Sequence, residues 1–296
     1  MNWQVSVVIP CWNGLEALKE SLPAILKLKG VFEWILVDDA SSDGSTNWVK
    51  ENFPKVRVIN QPKNGGFPLT ANTGVKIAKG DLVAIINHDL IPKQDAIVNT
   101  LVHFSKPNIF GVTLRETNEL GGGIVTWQDG WLELSAAKVT NKPQATFWGS
   151  GGETIYKKKM WNLLGGYDLI YSPGYWEDVD LGLRARRRGW KMLWEPSAVI
   201  TSSVRGASFA KLLDTKSLIK IKERNRLLVI WMNILSGKLI KEHIYALVKR
   251  ALTHPGYLFV IFAAITKLNI IIIRRNIERR EGKLTDEQVF SRSNFA

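Results

Sequence analysis

Short apolar runs near the amino end of this chain stop at polar side chains. VSVVI (5–9) is followed by Pro10, Cys11, Trp12 and Asn13; WILVDD (34–39) ends on Asp38 and Asp39; LVAII (82–86) runs into Asn87, His88 and Asp89. A carboxylate at such a place can accept hydrogen bonds from a base or a ribose, or hold a hard divalent cation through oxygen. Asp and Ser after strands also cap helices and turns. Asp43 and Ser45 fit the capping use. Asp39 and Asp89 share the edge where a ligand is expected.

A second cluster reads Trp176-Glu177-Asp178-Val179-Asp180 and runs into Arg184 and Arg186-Arg187-Arg188. Acidic residues suit the first turn of a helix, and Asp180 with Arg184 has the i, i+4 spacing of a structural pair. Mutual repulsion also raises a carboxyl pKa, which suits a general base for a sugar hydroxyl. No GxGxxG follows the first run and no GxxxxGK[ST] occurs, so a nicotinamide fingerprint and a P-loop are both missing. The counter-charge for any bound phosphate has to come from elsewhere, such as a metal on Asp89.

These residues need a scaffold that brings strand ends together. Helical patterns over 15–28, 44–52, 68–79 and 94–104 separate the apolar runs, and IFGVTL (109–114) reads as a further strand. Strands alternating with helices predict βαβ units, an α/β fold and a mostly parallel sheet, with ligands beyond the carboxyl ends of its strands. Residues 115–150 read as a sheet extension or long loops over a site. A strand entering a helix at 157–163, a helix over 177–188, and strands at 191–195 and 198–201 complete the body. From 209 onward the pattern is helical and amphipathic.

Charge follows the same division. Residues 1–203 hold 22 basic and 20 acidic side chains, against 18 and 7 in 204–296. A nearly neutral body therefore precedes a cationic tail, which argues against a uniformly basic nucleic-acid binder. The single Cys11 excludes an intrachain disulfide and a cysteine zinc site. MNWQVSVVIP lacks the basic and long apolar regions of a secretory leader, so a reducing, cytosolic setting is expected.

VSVVIPCWNG, ILVDDASSDGS, NQPKNGGFPLTANTGVKIAKGDLVAIINHD and GYDLIYSPGYWEDVDLGLRARRRGW occur in this order. Together they resemble the inverting nucleotide-sugar glycosyltransferases of family 2, which have the GT-A fold, and most of all their rhamnosyltransferase-like branch. The resemblance spans about residues 4–208. It implies that Pro10, Trp12 and Asn13 line the nucleotide pocket and that Asp39 bonds the base or ribose. Asn64, Gly65 and Asn72 match the segment flanking the diphosphate, with His88 beside it. Asn87-His88-Asp89 stands at the family's DxD position, so Asp89 is the implied ligand of Mg²⁺ or Mn²⁺. Asp178 matches the base, and Glu177 orients it or the acceptor. Two departures weaken the metal site: only one carboxylate remains at DxD, and TSSVRGAS (201–208) lacks the usual His, leaving Arg205 or a lysine as substitute counter-charge.

Trp127, Trp131, Trp148 and Trp176 serve either packing or stacking on sugar faces; Trp148 and Trp176 are the better acceptor candidates. QxxRW, the mark of processive synthases, is absent, so transfer of one sugar at a time is expected. The tail is too apolar for a nucleic-acid arm. Tyr257 to Ile273 has 14 apolar residues of 17, interrupted by Lys267 and Asn269. A span needs roughly 20 apolar residues. Arg274, Arg275, Arg279 and Arg280 fit an anionic membrane surface.

The resulting expectation is a 1–208 GT-A domain followed by a 209–296 basic, membrane-associating helical region. The chain would be a peripheral protein of the inner face of the cell membrane. Its donor would be a UDP-, dTDP- or GDP-sugar, its acceptor a lipid-linked or cell-surface glycan. The competing readings are a soluble transferase acting on a protein or small molecule, and a nucleotide-sugar-binding protein without turnover.

Overall fold

A computed structural model describes residues 3–117, 120–203 and 214–291. Its first half winds β1 (Val5–Cys11), α1 (Leu15–Ile25), β2 (Val31–Asp38), α2 (Ser45–Asn52), β3 (Val56–Asn60), α3 (Phe67–Ile77) and β4 (Leu82–Ile86). β1 pairs in parallel with β2 and β4, and β2 in parallel with β3. Every residue of β1 and β4 is buried, as expected for strands covered on both faces. All four strands therefore deliver their carboxyl ends to one edge.

The second half adds β5 (Leu90–Pro92), β6 (Ile109–Glu116), β7 (Gly123–Gln128), β8 (Trp131–Ala136), β9 (Gln144–Thr146), β10 (Glu153–Lys157), α4 (Lys158–Leu164), α5 (Glu177–Arg187) and β11 (Lys191–Ser202). The main sheet has the order β3-β2-β1-β4-β10-β6-β11-β5, with β9 on β11. β10 runs antiparallel to β4 and β6, while β6 and β11 are parallel. This is the mostly parallel α/β sheet expected.

Three details differ from the sequence reading. The helix expected at 94–104 is a 3₁₀ helix, Val98–Ser105. Its Val98, Thr100 and Val102 are β-branched, which disfavours α-helix. The two strands expected at 191–195 and 198–201 are one strand, with a register shift between Glu195 and Val199. Pro196 sits in that break, where no ladder N–H is needed. Within 115–150, β7 and β8 form a separate hairpin. Asp129 and Gly130 both have positive φ, 48° and 81°, the requirement of a tight hairpin turn.

The tail forms α6 (Thr215–Asn233), α7 (Gly237–Thr253), α8 (Leu258–Ile265), α9 (Leu268–Glu281) and α10 (Asp286–Phe290). Leu227, Leu228, Ile230 and Val289 share one buried cluster with Val125, Leu132, Tyr171 and Val179. The tail helices thus complete a core with α5 and the hairpin.

Candidate active site

Asp39 stands just after β2, and its two carboxylate oxygens accept the N–H groups of Gly65 and Gly66, each at 2.8 Å. Burial raises its pKa while these two donors pull it down. Gly66 has φ +83°, and a Cβ there would lie 2.7 Å from the Pro173 carbonyl oxygen. Only glycine fits, so the 64–66 turn is held between Asp39 and the 173 loop. Asn13 ties the first loop to the second: its N–H donates to Ser41 Oγ at 2.8 Å and its Oδ1 accepts from Ser42 N at 2.9 Å. Asp43 accepts from Leu15 N and Ser45 N at 2.8 and 3.0 Å, the capping role its position implied.

His88 Nδ1 lies 3.1 Å from the Pro10 carbonyl oxygen. A carbonyl only accepts, so Nδ1 is the donor in this contact. Nε2 is buried and has no partner among the described residues. The ring fills the space beside Gly14, where a Cβ would come within 2.3 Å of it. Asp89 follows and lines the cavity, its backbone carbonyl accepting from Ser203 N at 2.7 Å.

Among the described residues no group of three His, Cys, Asp or Glu side chains is placed to hold a metal. Mg²⁺ is commonly held by one or two carboxylates plus substrate phosphates. In the Asn87-His88-Asp89 segment Asp89 alone supplies a carboxylate, and it lines the cavity, which fits a cation that arrives with a diphosphate. Arg205 lies outside the described residues.

Glu177 and Asp178 open α5, after Tyr175 and Trp176, which have φ of 74° and 75°. Two successive non-glycine residues in the left-handed region are strained. Asn225 of α6 holds them there: its amide reaches the carbonyls of Tyr171, Gly174 and Tyr175 at 2.9, 2.9 and 2.8 Å. Both Glu177 and Asp178 line the cavity.

Burial pushes the Asp178 carboxyl up to about 6. Glu177 is pushed up to about 8 by burial and by the neighbouring Asp178 charge. Both carboxyls are thus held above the ordinary range, and as neighbours they titrate as a pair. Asp180 belongs to the frame. It accepts from Tyr171 Oη at 3.0 Å, Asn233 Nδ2 at 2.7 Å and Arg184 Nε at 2.7 Å.

These groups surround a cavity of about 730 Å³. Of the residues expected at the site, Pro10, Trp12, Asp39, Asn64, His88 and Asp89 line it, as do Trp148, Trp176, Glu177 and Asp178. Asn13, Gly65 and Asn72 do not appear on its wall. Asn72 instead clasps the Tyr167 backbone, accepting from its N–H at 3.0 Å and donating to its carbonyl at 2.8 Å. Its side chain is spent on that clasp, and it acts on the site only through position. Trp127 and Trp131 pack in the core of the hairpin and tail, Trp127 Nε1 donating to Glu242 at 2.8 Å.

One wall was missed in the sequence. Leu132 and Glu133 of β8 and Lys222, Glu223 and Arg226 of α6 line the same cavity. Arg226 donates to the Leu132 carbonyl at 2.7 Å and to Glu133 at 2.5 Å. Lys222 Nζ sits 4.5 Å above the Tyr175 ring, a cation–π contact. The Asp129-Gly130 turn signal was available for the hairpin. Nothing local marked α6 as a wall.

The sequence model of Glycosyl transferase family 2 matches residues 6–162. A poly-beta-1,6-N-acetyl-D-glucosamine synthase of Staphylococcus aureus (strain COL) is 27% identical over 215 residues, 66% of this chain and 48% of that protein. The chain thus spans about half the length of the curated relatives it matches first. Among solved structures, GalNAc-T7 with UDP, GalNAc and Mn²⁺ superposes with a TM-score of 0.70 at 16% identity, covering 98% of this chain and 56% of that one. The mannosyltransferase PcManGT from Pyrobaculum calidifontis, in complex with GDP-Man and Mn²⁺, gives 0.58 at 16% identity, covering 94% and 84%. These likenesses establish the fold. With the strand-end residues gathered round one cavity and more than half of its length matched by the family model, this chain belongs to glycosyl transferase family 2 and has its GT-A fold.

Proposed function

We propose that the chain moves one sugar from a nucleotide-sugar donor to a hydroxyl of a lipid-linked or cell-surface glycan, with inversion at the anomeric carbon. Within the family, its motif set most resembles the rhamnosyltransferase-like branch. The observation that carries the reading is the pair at the head of α5: Glu177 and Asp178 stand side by side on the cavity wall, where burial raises both carboxyls above their ordinary range.

Asp178 takes the proton of the acceptor hydroxyl as that oxygen bonds to the anomeric carbon. The bond from that carbon to the diphosphate oxygen breaks on the opposite face, and its electron pair leaves with the nucleoside diphosphate. One displacement inverts the centre. Glu177 orients the acceptor or the base. Trp148 and Trp176 supply aromatic faces for sugar rings. Pro10, Trp12, Asn64 and Asp39 form the nucleotide end, where Asp39 also fixes the turn that closes it. The donor is a UDP-, dTDP- or GDP-sugar.

Mg²⁺ or Mn²⁺, held by Asp89 and the donor's phosphate oxygens, would neutralise charge on the leaving group when bound. His88 keeps the Asn87-His88-Asp89 segment in place through Pro10.

Asp178→Asn is the direct test. The expected result is a loss of transfer of about 10²–10⁴-fold, the usual contribution of a general base, with nucleotide-sugar binding retained in calorimetry. Wild-type turnover in this variant would reject the base. Donor binding without any turnover in the wild-type chain would favour a nucleotide-sugar-binding protein instead.

A further inference from the structure

We propose that the outward face of α7, α8 and α9 is a docking surface for an anionic lipid bilayer. α8, LFVIFAAI, has no polar side chain at all. Its Val260 and Ala264 are buried in the core shared with α6, while Phe259 and Phe262 are 75% and 69% exposed. A helix apolar all round and covered on one side only is poorly matched to water.

The neighbouring helices repeat the pattern. On α7, Ile244, Val248 and Leu252 recur every four residues and are all exposed, with Tyr245 beside them. His243 points the other way, its Nδ1 on the Gly130 carbonyl. On α9, Ile271 is buried, whereas Leu268, Ile272 and Ile273 are exposed.

Charge decides the partner. Lys241, Lys249, Lys267, Arg279 and Arg280 are exposed along the same helices. From α7 to α9 the one exposed carboxylate among the described residues is Glu281, which pairs with Arg188 and Arg280; Glu242 is spent on Trp127, and Glu278 is buried on Arg188. A second copy of this chain would bring the same cations into opposition. An anionic bilayer presents phosphates at the level of the lysines and arginines, and acyl chains beneath for the aromatic side chains.

In this proposal the face lies along the bilayer: Pro255–Ile265 and Leu268–Glu281 together have the length and apolarity of a bent span, yet Val260, Ala264 and Ile271 pack into the protein's own core. No single helix among the described residues is long and apolar enough to span, and Pro255–Ile265 meets Leu268–Glu281 at 67°. The inner side is tied down: Arg275 donates to the Trp231 carbonyl at 3.0 Å, and Arg188 pairs with Glu278 at 2.8 Å. This surface also adjoins the cavity. Glu223, on the cavity wall, accepts from Tyr257 Oη at 3.0 Å and from Arg250 at 3.4 Å. Docking therefore brings the cavity wall close to the bilayer, which rests on the proposed transfer only for its purpose.

Flotation of the full chain with vesicles tests this without any turnover. Vesicles of phosphatidylcholine containing phosphatidylglycerol should carry the chain upward, and vesicles of phosphatidylcholine alone should not. Phe259→Ser with Phe262→Ser should abolish flotation while keeping the melting midpoint and nucleotide binding of the parent. Lys267→Gln with Arg279→Gln should weaken it roughly tenfold or more. The proposal is overturned if the parent stays at the bottom with anionic vesicles, or if the double Phe variant floats equally well. A parent dimer that the Phe substitutions dissociate, with no flotation, would assign the face to a second copy and overturn it too. Nucleotide binding retained in any of these outcomes leaves the proposed transfer standing.

Discussion

Arg187, in the last turn of the helix that begins with Glu177 and Asp178, forms an ion pair with Asp286, 99 positions downstream. The two side chains are 2% and 0% exposed. Asp286 also accepts from Leu235 N and Ser236 N at 2.7 and 2.6 Å, and Arg187 donates to the Asn233 and Leu284 carbonyls at 2.6 and 3.0 Å. The end of the chain therefore grips the base of the site helix.

Asp286→Ala strands a buried guanidinium and two backbone donors. The expected loss is about 3–5 kcal/mol, the usual result of removing one member of a buried pair, read from denaturant unfolding. Asp286→Asn keeps part of the hydrogen bonding and should lose less. A loss below about 1 kcal/mol for the alanine variant would show that the clamp adds little beyond an exposed pair.

The pH dependence of rate and stability should run in opposite directions at Asp178. As a base it acts ionised, so the transfer rate should rise through about pH 6 and level off above it. Its folded pKa lies above the ordinary 3.8, so the folded chain binds the proton more tightly than the unfolded one. That stabilising contribution is complete below pH 3.8 and is lost as pH rises through about 6. Asp178→Asn cannot ionise, so it should gain on the order of 1–3 kcal/mol relative to the parent at pH 8. Thermal melts at pH 4 and pH 8 check this; a parallel shift at both would contradict it.

Asn225→Ala removes the amide that holds the Tyr175-Trp176 bend. The Tyr171 carbonyl keeps the Gly174 N–H, but a buried carbonyl that loses its donor costs about 1–3 kcal/mol, and the head of α5 loses its support. Turnover should fall at least tenfold, with a smaller change in nucleotide affinity, since the nucleotide end rests on other loops. Equal losses in both would place Asn225 in general stability alone.

Asp39→Asn replaces an acceptor of two N–H groups by an amide that offers one. Hydrogen bonds to charged groups contribute about 1.5–3 kcal/mol, so nucleotide affinity should drop at least tenfold in calorimetry. Gly66→Ala should produce a similar loss by a different route, since its Cβ meets Pro173. Unchanged affinity in both variants would remove the 64–66 turn from the nucleotide end.

Much of the fold was legible because its signals are local. The alternation of apolar runs with helical periods names the strands of β1 to β4, and the sheet then forces Asp39 and Asp89 to one edge. The acidic start of α5 was equally plain. Its basic end was not. Beyond the Asp180–Arg184 pairing nothing local marked the fate of Arg186, Arg187 and Arg188, yet all four arginines are buried. Arg184 holds the carbonyls of Leu164 and Gly166 at 2.8 and 2.9 Å, and Arg188 holds Glu278. Asn13 and Asn72 show the same blindness from the other side: a polar residue beside a pocket has no local mark that says whether it faces ligand or backbone.

The sequence by itself determined the α/β alternation, the strand-end polar groups and the paired carboxyls, because periodicity and turn chemistry act over a few residues. Only the tertiary structure decided that the cationic tail is in part a wall. Lys222 and Arg226 reach the cavity because the apolar side of α6 finds its match in α5 and the β7–β8 hairpin. Such a match depends on shapes and charges set by segments as far apart as Arg187 and Asp286, and no window along the chain contains both.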